Sequence, residues 1–197
     1  MKKKELETNV VFLLDRSGSM GGMEDDTIGG YNGYIANMKN NHNVKVTTVL
    51  FDDMYEMLNI DTPIKDVKKL TRNEYFVRGS TALLDAIGRT IDYLDELKKE
   101  KVIFIITTDG CENSSTKYNK DKIKALIGSH DNWKFIYIGA DIDSYQEGSS
   151  IGIKSSNIAN YEKSSRGISK LYKAVEYVTE MFNDDMELDE SWKEELE

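Results

Sequence analysis

A chain of 197 residues, 39% hydrophobic and 31% charged, is long enough to bury one core and too apolar to remain disordered. Its net charge of −9 lies mostly at one end, because Asp184 to Glu197 hold eight acids and one lysine, a net of −7. The remainder, close to neutral, lacks the basic stripe that would hold nucleic-acid backbones, and the single cysteine, Cys111, excludes an internal disulfide framework.

In chain order, the start "MKKKELETNVVFLLD" has the basic opening of a signal peptide. Its apolar run is only five residues, Val10 to Leu14, and ends in Asp15 without a small-residue cleavage site, so it is expected to be mature chain. No run approaches the roughly 18 apolar residues that cross a bilayer, and a lone thiol suits a reducing compartment. A cytoplasmic protein without membrane contact is the expectation.

Val10 to Leu14 has the continuous apolar character of a strand buried on both faces. Glu24 to Asn40 forms a weaker helical pattern, interrupted by Gly29, Gly30 and Gly33. "KVTTVLFDDMYEMLNI" (Lys45 to Ile60) predicts a hairpin of two strands turning at Asp52-Asp53, at the edge of a sheet. Leu84, Ile87, Ile91 and Leu94 recur at helical spacing between Thr81 and Lys99. A second buried strand follows at Val102 to Ile106, a short helix at Asp121 to Ile127, and a third strand at Phe135 to Gly139. Ile168, Leu171, Val175 and Val178 predict a long helix over Ser164 to Phe182. In the tail, Leu188, Trp192 and Leu196 recur every four residues as a thin apolar stripe.

Strands alternating with helices imply an α/β, Rossmann-like doubly wound three-layer sandwich, with a central mostly parallel sheet and one antiparallel edge strand. The expected division is one domain over residues 1–183 and an acidic tail over 184–197.

Ligands of such sheets gather beyond the carboxyl ends of the central strands. Asp15 follows the first buried strand, Asp109 follows Val102 to Thr108, and Thr81 opens the helix between them. Asp15, Ser17 and Ser19 alternate, so a loop folded back at Gly18 turns three oxygens toward one point. With Thr81 and Asp109 the set is two carboxylates and three hydroxyls, hard donors that suit Mg²⁺, Mn²⁺ or Ca²⁺ and not zinc or copper. Singly, the serines read as turn residues and Thr81 as a helix cap; it is their joint placement that points to a metal.

"DRSGS" (Asp15 to Ser19), "GST" (Gly79 to Thr81) and "TDG" (Thr108 to Gly110) resemble the three parts of the metal ion-dependent adhesion site of von Willebrand factor type A domains, in the family's order. The resemblance implies that Ser17, Ser19 and Thr81 give hydroxyl oxygens to the cation and that Asp15 and Asp109 act directly or through water. It leaves one coordination position open for an Asp or Glu carboxylate of a protein partner. Met20, Ser80 and Glu112 flank the ligands as an expected rim. The weakly charged, hydroxyl-rich set favours Mg²⁺, or Mn²⁺, over Ca²⁺. Intracellular bacterial relatives of this kind imply an assembly that contains an ATPase.

The competing reading is a Mg²⁺-dependent phosphatase or phosphotransferase of the haloacid dehalogenase type, which also sets an aspartate after its first strand. Such enzymes carry a second aspartate two residues on, where this chain has Ser17. No phosphate-binding GxxxxGK[ST] motif exists, and neither serine lies in a G-x-S-x-G elbow, so a binding module and no enzyme is expected. His42 and His130 read as solvated loop residues, Cys111 as a bystander, Asp52-Asp53 as turn residues, and Asp141 and Asp143 as caps of the next helix.

Overall fold

The computed structural model describes residues 6–194 and Leu196. The basic start of the chain up to Glu5, where a leader would lie, is outside the described residues, as are Glu195 and Glu197 of the tail.

The strands are β1 (Thr8–Asp15), β2 (Val44–Phe51), β3 (Tyr55–Met57), β4 (Thr62–Pro63), β5 (Val102–Thr108), β6 (Trp133–Gly139) and β7 (Ile158–Asn160). The helices are α1 (Glu24–Met38), α2 (Leu83–Glu96), α3 (Lys120–Gly128), α4 (Ser144–Ser150) and α5 (Ser165–Asn183). The sheet runs β3-β2-β1-β5-β6-β7, with β4 also paired to β2. All neighbours are parallel except β3 and β4, which lie antiparallel on β2.

Each central strand is apolar on both faces because helices cover both. From β1, Val10, Phe12 and Leu14 join Ile103, Ile105, Ile136 and Ile138 under α1 and α5. The alternate residues Val11 and Leu13 join Phe104, Ile106, Phe135 and Tyr137 under α2 and α3. Period-two alternation thus feeds two cores from one strand. On the first face Phe12 meets Tyr31 and Tyr34 edge-on, with ring centroids 5.4 and 4.9 Å apart. On the second, Leu84, Ile87, Ile91 and Leu94 are buried along one side of α2, each burial stabilising by about 1.5–3 kcal/mol.

The doubly wound architecture and the antiparallel hairpin at the edge match the sequence reading. Two strands escaped it, β4 with two residues and β7 with three, both too short to show a period. The glycines of α1 do not interrupt it. Gly30 serves close packing: a β carbon there would lie 2.2 Å from the Tyr172 ring of α5.

The acidic tail folds back over the α1/α5 side. Trp192 and Leu196 enter that core, the Trp192 indole N–H donates to the Ser156 carbonyl at 3.0 Å, and Lys193 Nζ donates to the Ser155 carbonyl at 2.7 Å. The four-residue spacing therefore marks an apolar seam under an acidic exterior. Among the described residues no helix is long and apolar enough to cross a membrane.

Candidate metal centre

Three segments are drawn together where β1 and β5 end. The first leaves β1 at Asp15 and turns at once, the Ser17 N–H donating to Asp15 Oδ1 at 2.7 Å, and Gly18–Met20 form a single 3-10 turn. The second, Gly79 to Thr81, is strapped to the first: Gly18 N–H donates to the Gly79 carbonyl at 3.2 Å and Arg78 N–H to the Arg16 carbonyl at 2.9 Å. The third follows β5 and is tied to the second reciprocally. Thr81 N–H donates to Asn113 Oδ1 at 2.9 Å, and Asn113 N–H donates to the Thr81 carbonyl at 3.0 Å. Gly79 has a φ of +65°, and a β carbon there would lie 1.9 Å from Asp53 Oδ1, so the strap passes the hairpin turn only as glycine.

Inside this frame Ser17 Oγ and Ser19 Oγ are 3.1 Å apart, and Ser19 Oγ donates to Asp109 Oδ1 at 2.5 Å. Thr108 Oγ1 donates to Asp15 Oδ2 at 2.6 Å and accepts from the Gly110 N–H at 3.1 Å. Gly110 marks the centre of the cluster. A β carbon built there would meet Thr81 Oγ1 at 2.8 Å, Ser19 Oγ at 3.2 Å and Ser17 Oγ at 3.6 Å. Hydroxyls from two segments therefore converge on a small cradle that the missing side chain of the third leaves open.

Asp15, Ser17, Thr81 and Asp109 are buried and Ser19 is exposed, so the cradle has a dry floor and one wet edge. Burial lifts the Asp15 carboxyl from its ordinary 3.8 to about 6, against the opposing hydrogen bonds from Thr108 and Ser17, and the neighbouring Asp109 charge adds to the rise. Asp109 Oδ2 is also buried and makes no hydrogen bond among the described residues. The Lys163 ammonium stands 2.7 Å from it as an ion pair, outside hydrogen-bonding geometry.

This donor set fits a hard divalent cation: all five side chains offer oxygen, two of them as carboxylates. It does not resemble a soft-metal site. Among the described residues no group of three or more His, Cys, Asp or Glu side chains could hold a metal, and Cys111 is exposed.

The three expected rim residues are placed differently from one another. Ser80 is exposed. Glu112 is committed to its own loop: its carboxylate accepts from the N–H groups of Leu84, Ser114 and Ser115 at 2.9, 2.9 and 2.7 Å. Met20 is 3% exposed, which withdraws it from any surface a partner could reach. Two other expectations need correction. His130 lies in a loop but is half-buried and not simply solvated, since it bonds Asp95 at 2.8 Å and its ring lies against Trp133, tilted by 34° with centroids 4.0 Å apart. Asp143 does cap α4, accepting from the Gln146 N–H at 2.9 Å, but Asp141 sits in the left-handed region at φ +55°, 3.9 Å from Lys163.

Sequence reasoning missed a second buried charge cluster beside the cradle. Arg16, fully buried, donates from Nε to Asp52 Oδ2 at 3.0 Å and from Nη1 to Glu56 Oε2 at 2.9 Å. Arg78 donates to the same Asp52 oxygen at 2.7 Å. The Phe76 ring lies 5.5 and 5.2 Å from the two guanidinium carbons. Asp52 is therefore an ionic hub as well as a turn residue. The only signal in the sequence was an arginine inside the "DRSGS" stretch, which by itself fixes no partner.

No family model and no curated protein matches the sequence. Solved structures match its fold. The vWF domain of the type V pili tip protein Mfa5 from Porphyromonas gingivalis superimposes with a TM-score of 0.69 at 10% identity, over 94% of this chain and 98% of that one. Proximal thread matrix protein 1 from the mussel byssus gives 0.68 at 16%, over 87% of this chain and 46% of that one. A von Willebrand factor type A protein from Catenulispora acidiphila gives 0.64 at 14%, over 89% and 43%. The chain spans less than half the length of the last two. At these identities the likeness is one of fold: the chain has the fold of a von Willebrand factor type A domain.

Proposed function

We propose that this chain is a binding module that holds Mg²⁺ or Mn²⁺, in preference to Ca²⁺, in the cradle at Gly110 and grips an acidic side chain of a partner protein there. The observation that carries this reading is the convergence of Thr81, Ser19 and Ser17 hydroxyls on the point a Gly110 side chain would fill. Ser17, Ser19 and Thr81 would hold the ion through hydroxyl oxygens, with Asp15 and Asp109 beside them directly or through water. When bound, the ion supplies a positive centre for a further carboxylate. The chain's own residues do the rest. Two carboxylates alone leave a divalent charge only just balanced, the buried floor excludes water, and the exposed Ser19 and Ser80 leave the approach open.

A pilus tip protein and a byssal thread matrix protein among the structural neighbours are in keeping with a protein-binding role. An ATPase-containing assembly, the setting implied by the sequence resemblance, is one place where such a grip would serve. The phosphatase alternative has no support: the position of its acid–base aspartate is Ser17, whose hydroxyl lies against Ser19.

The test is calorimetric titration of the metal-stripped full chain with Mg²⁺ and Mn²⁺, beside Gly110→Ala and Asp109→Ala. The parent should bind and both variants should lose at least about tenfold in affinity. A glutamate-rich peptide should bind in Mn²⁺ and be released by EDTA. A parent that takes up neither metal overturns the proposal, and peptide retained in EDTA removes the ion from the contact.

A further inference from the structure

Lys163 is placed where nothing in the cradle's local sequence requires a lysine. It follows β7 and immediately precedes Ser164, the N-cap of α5, whose side chain accepts from the Gly167 N–H at 3.0 Å. From there its ammonium reaches over the cradle, donating to the Ser19 carbonyl at 2.7 Å and pairing with Asp109 Oδ2 at 2.7 Å. The Asp109 side chain is 0% exposed and that of Lys163 is 24% exposed. A buried carboxylate is thus neutralised by a cation that remains partly in water and can leave. Its second carboxylate lies within reach, since Asp141 Oδ2 is 3.9 Å from the same nitrogen.

We infer that Lys163 is a built-in competitor for the divalent cation: it compensates Asp109 when the cradle holds no metal and lowers the affinity of the cradle for one. This inference rests on the metal-binding reading above. The physical basis is direct. An ammonium and a divalent ion that both draw on Asp109 repel each other at short range, so loading the cradle requires the Lys163–Asp109 pair to loosen. The Asp109 charge cannot serve both cations fully. The consequence is a site tuned to fill only when free metal is plentiful.

The experiment is titration of the metal-stripped full chain with Mn²⁺, comparing the parent with Lys163→Met and Lys163→Arg. Methionine keeps the stem and removes the charge; arginine keeps the charge. Lys163→Met should bind Mn²⁺ about tenfold more tightly than the parent, and Lys163→Arg should stay within about twofold of it. Equal or weaker binding by Lys163→Met overturns the inference and leaves the metal-binding reading in place. A tenfold gain in Lys163→Arg as well also overturns it, because packing and not charge would then set affinity. No binding by the parent or either variant overturns both readings.

Discussion

Asp15 and Arg16 are adjacent, both at the end of β1 and both buried, yet they belong to opposite kinds of charge cluster. Arg16 and Arg78 face Asp52 and Glu56, two guanidiniums against two carboxylates, with Asp52 shared between them. Among the described residues Asp15 and Asp109 face one ammonium, that of Lys163, which pairs with Asp109 at 2.7 Å and not with Asp15. The first cluster closes its own balance and acts as structure. The second keeps a surplus of negative charge beside the hydroxyls of Ser17, Ser19 and Thr81, which is what the proposed cation would draw on. Arg16 and Asp52 are as deeply buried as Asp15 and Asp109; what separates the two clusters is whether the chain supplies the counter-charge.

This contrast can be broken most forcefully at Asp52. Asp52→Ala removes the buried carboxylate that both Arg16 and Arg78 share and should destabilise the protein by about 3–5 kcal/mol, the usual loss when one member of a buried pair is removed. Urea unfolding measures it, and a loss below about 1 kcal/mol would mean that the hub holds nothing together. At Asp15 the pattern should reverse. Asp15→Asn keeps an acceptor for one of its two hydrogen bonds and removes a carboxylate that burial already disfavours, so stability should stay within about 1 kcal/mol of the parent, while Mn²⁺ affinity falls at least about tenfold. Paired unfolding and calorimetry would decide: a stability loss matching that of Asp52→Ala would make Asp15 a structural residue after all. The smallest effect is expected at Glu56, whose side chain is 48% exposed. Glu56→Gln should change stability by less than about 1 kcal/mol, and a change above about 2 kcal/mol in the same assay would extend the hub to the surface.

The sheet was largely legible in the sequence because its central strands are buried on both faces and so are written as unbroken apolar runs. The long helices were legible for the same kind of reason, with Leu84, Ile87, Ile91 and Leu94 repeating on one side of α2. β4 and β7 were not, since two or three residues display no period. The tail was legible in part. Leu188, Trp192 and Leu196 announced an apolar stripe, but the Ser155 and Ser156 carbonyls that receive Lys193 and Trp192 could not be inferred from it. Met20 was misplaced as rim because adjacency along the chain says nothing about which way a side chain turns. Met20 turned inward, and Glu112 found backbone N–H groups to satisfy.

By itself the sequence determined the layered α/β fold and the oxygen-rich segments Asp15 to Ser19, Gly79 to Thr81 and Thr108 to Gly110 at one end of the sheet. These depend on short-range pattern, where period and spacing are set by the geometry of strand, helix and turn. Only the tertiary structure decided how charge is shared among them. It set Arg16 on Asp52, gave Asp15 no cationic partner among the described residues, and brought Lys163 to Asp109 and to Ser19, 144 positions away in the chain. Such pairings are made by side chains from distant segments meeting in a low-dielectric interior, where a counter-charge a few ångströms away outweighs any local preference.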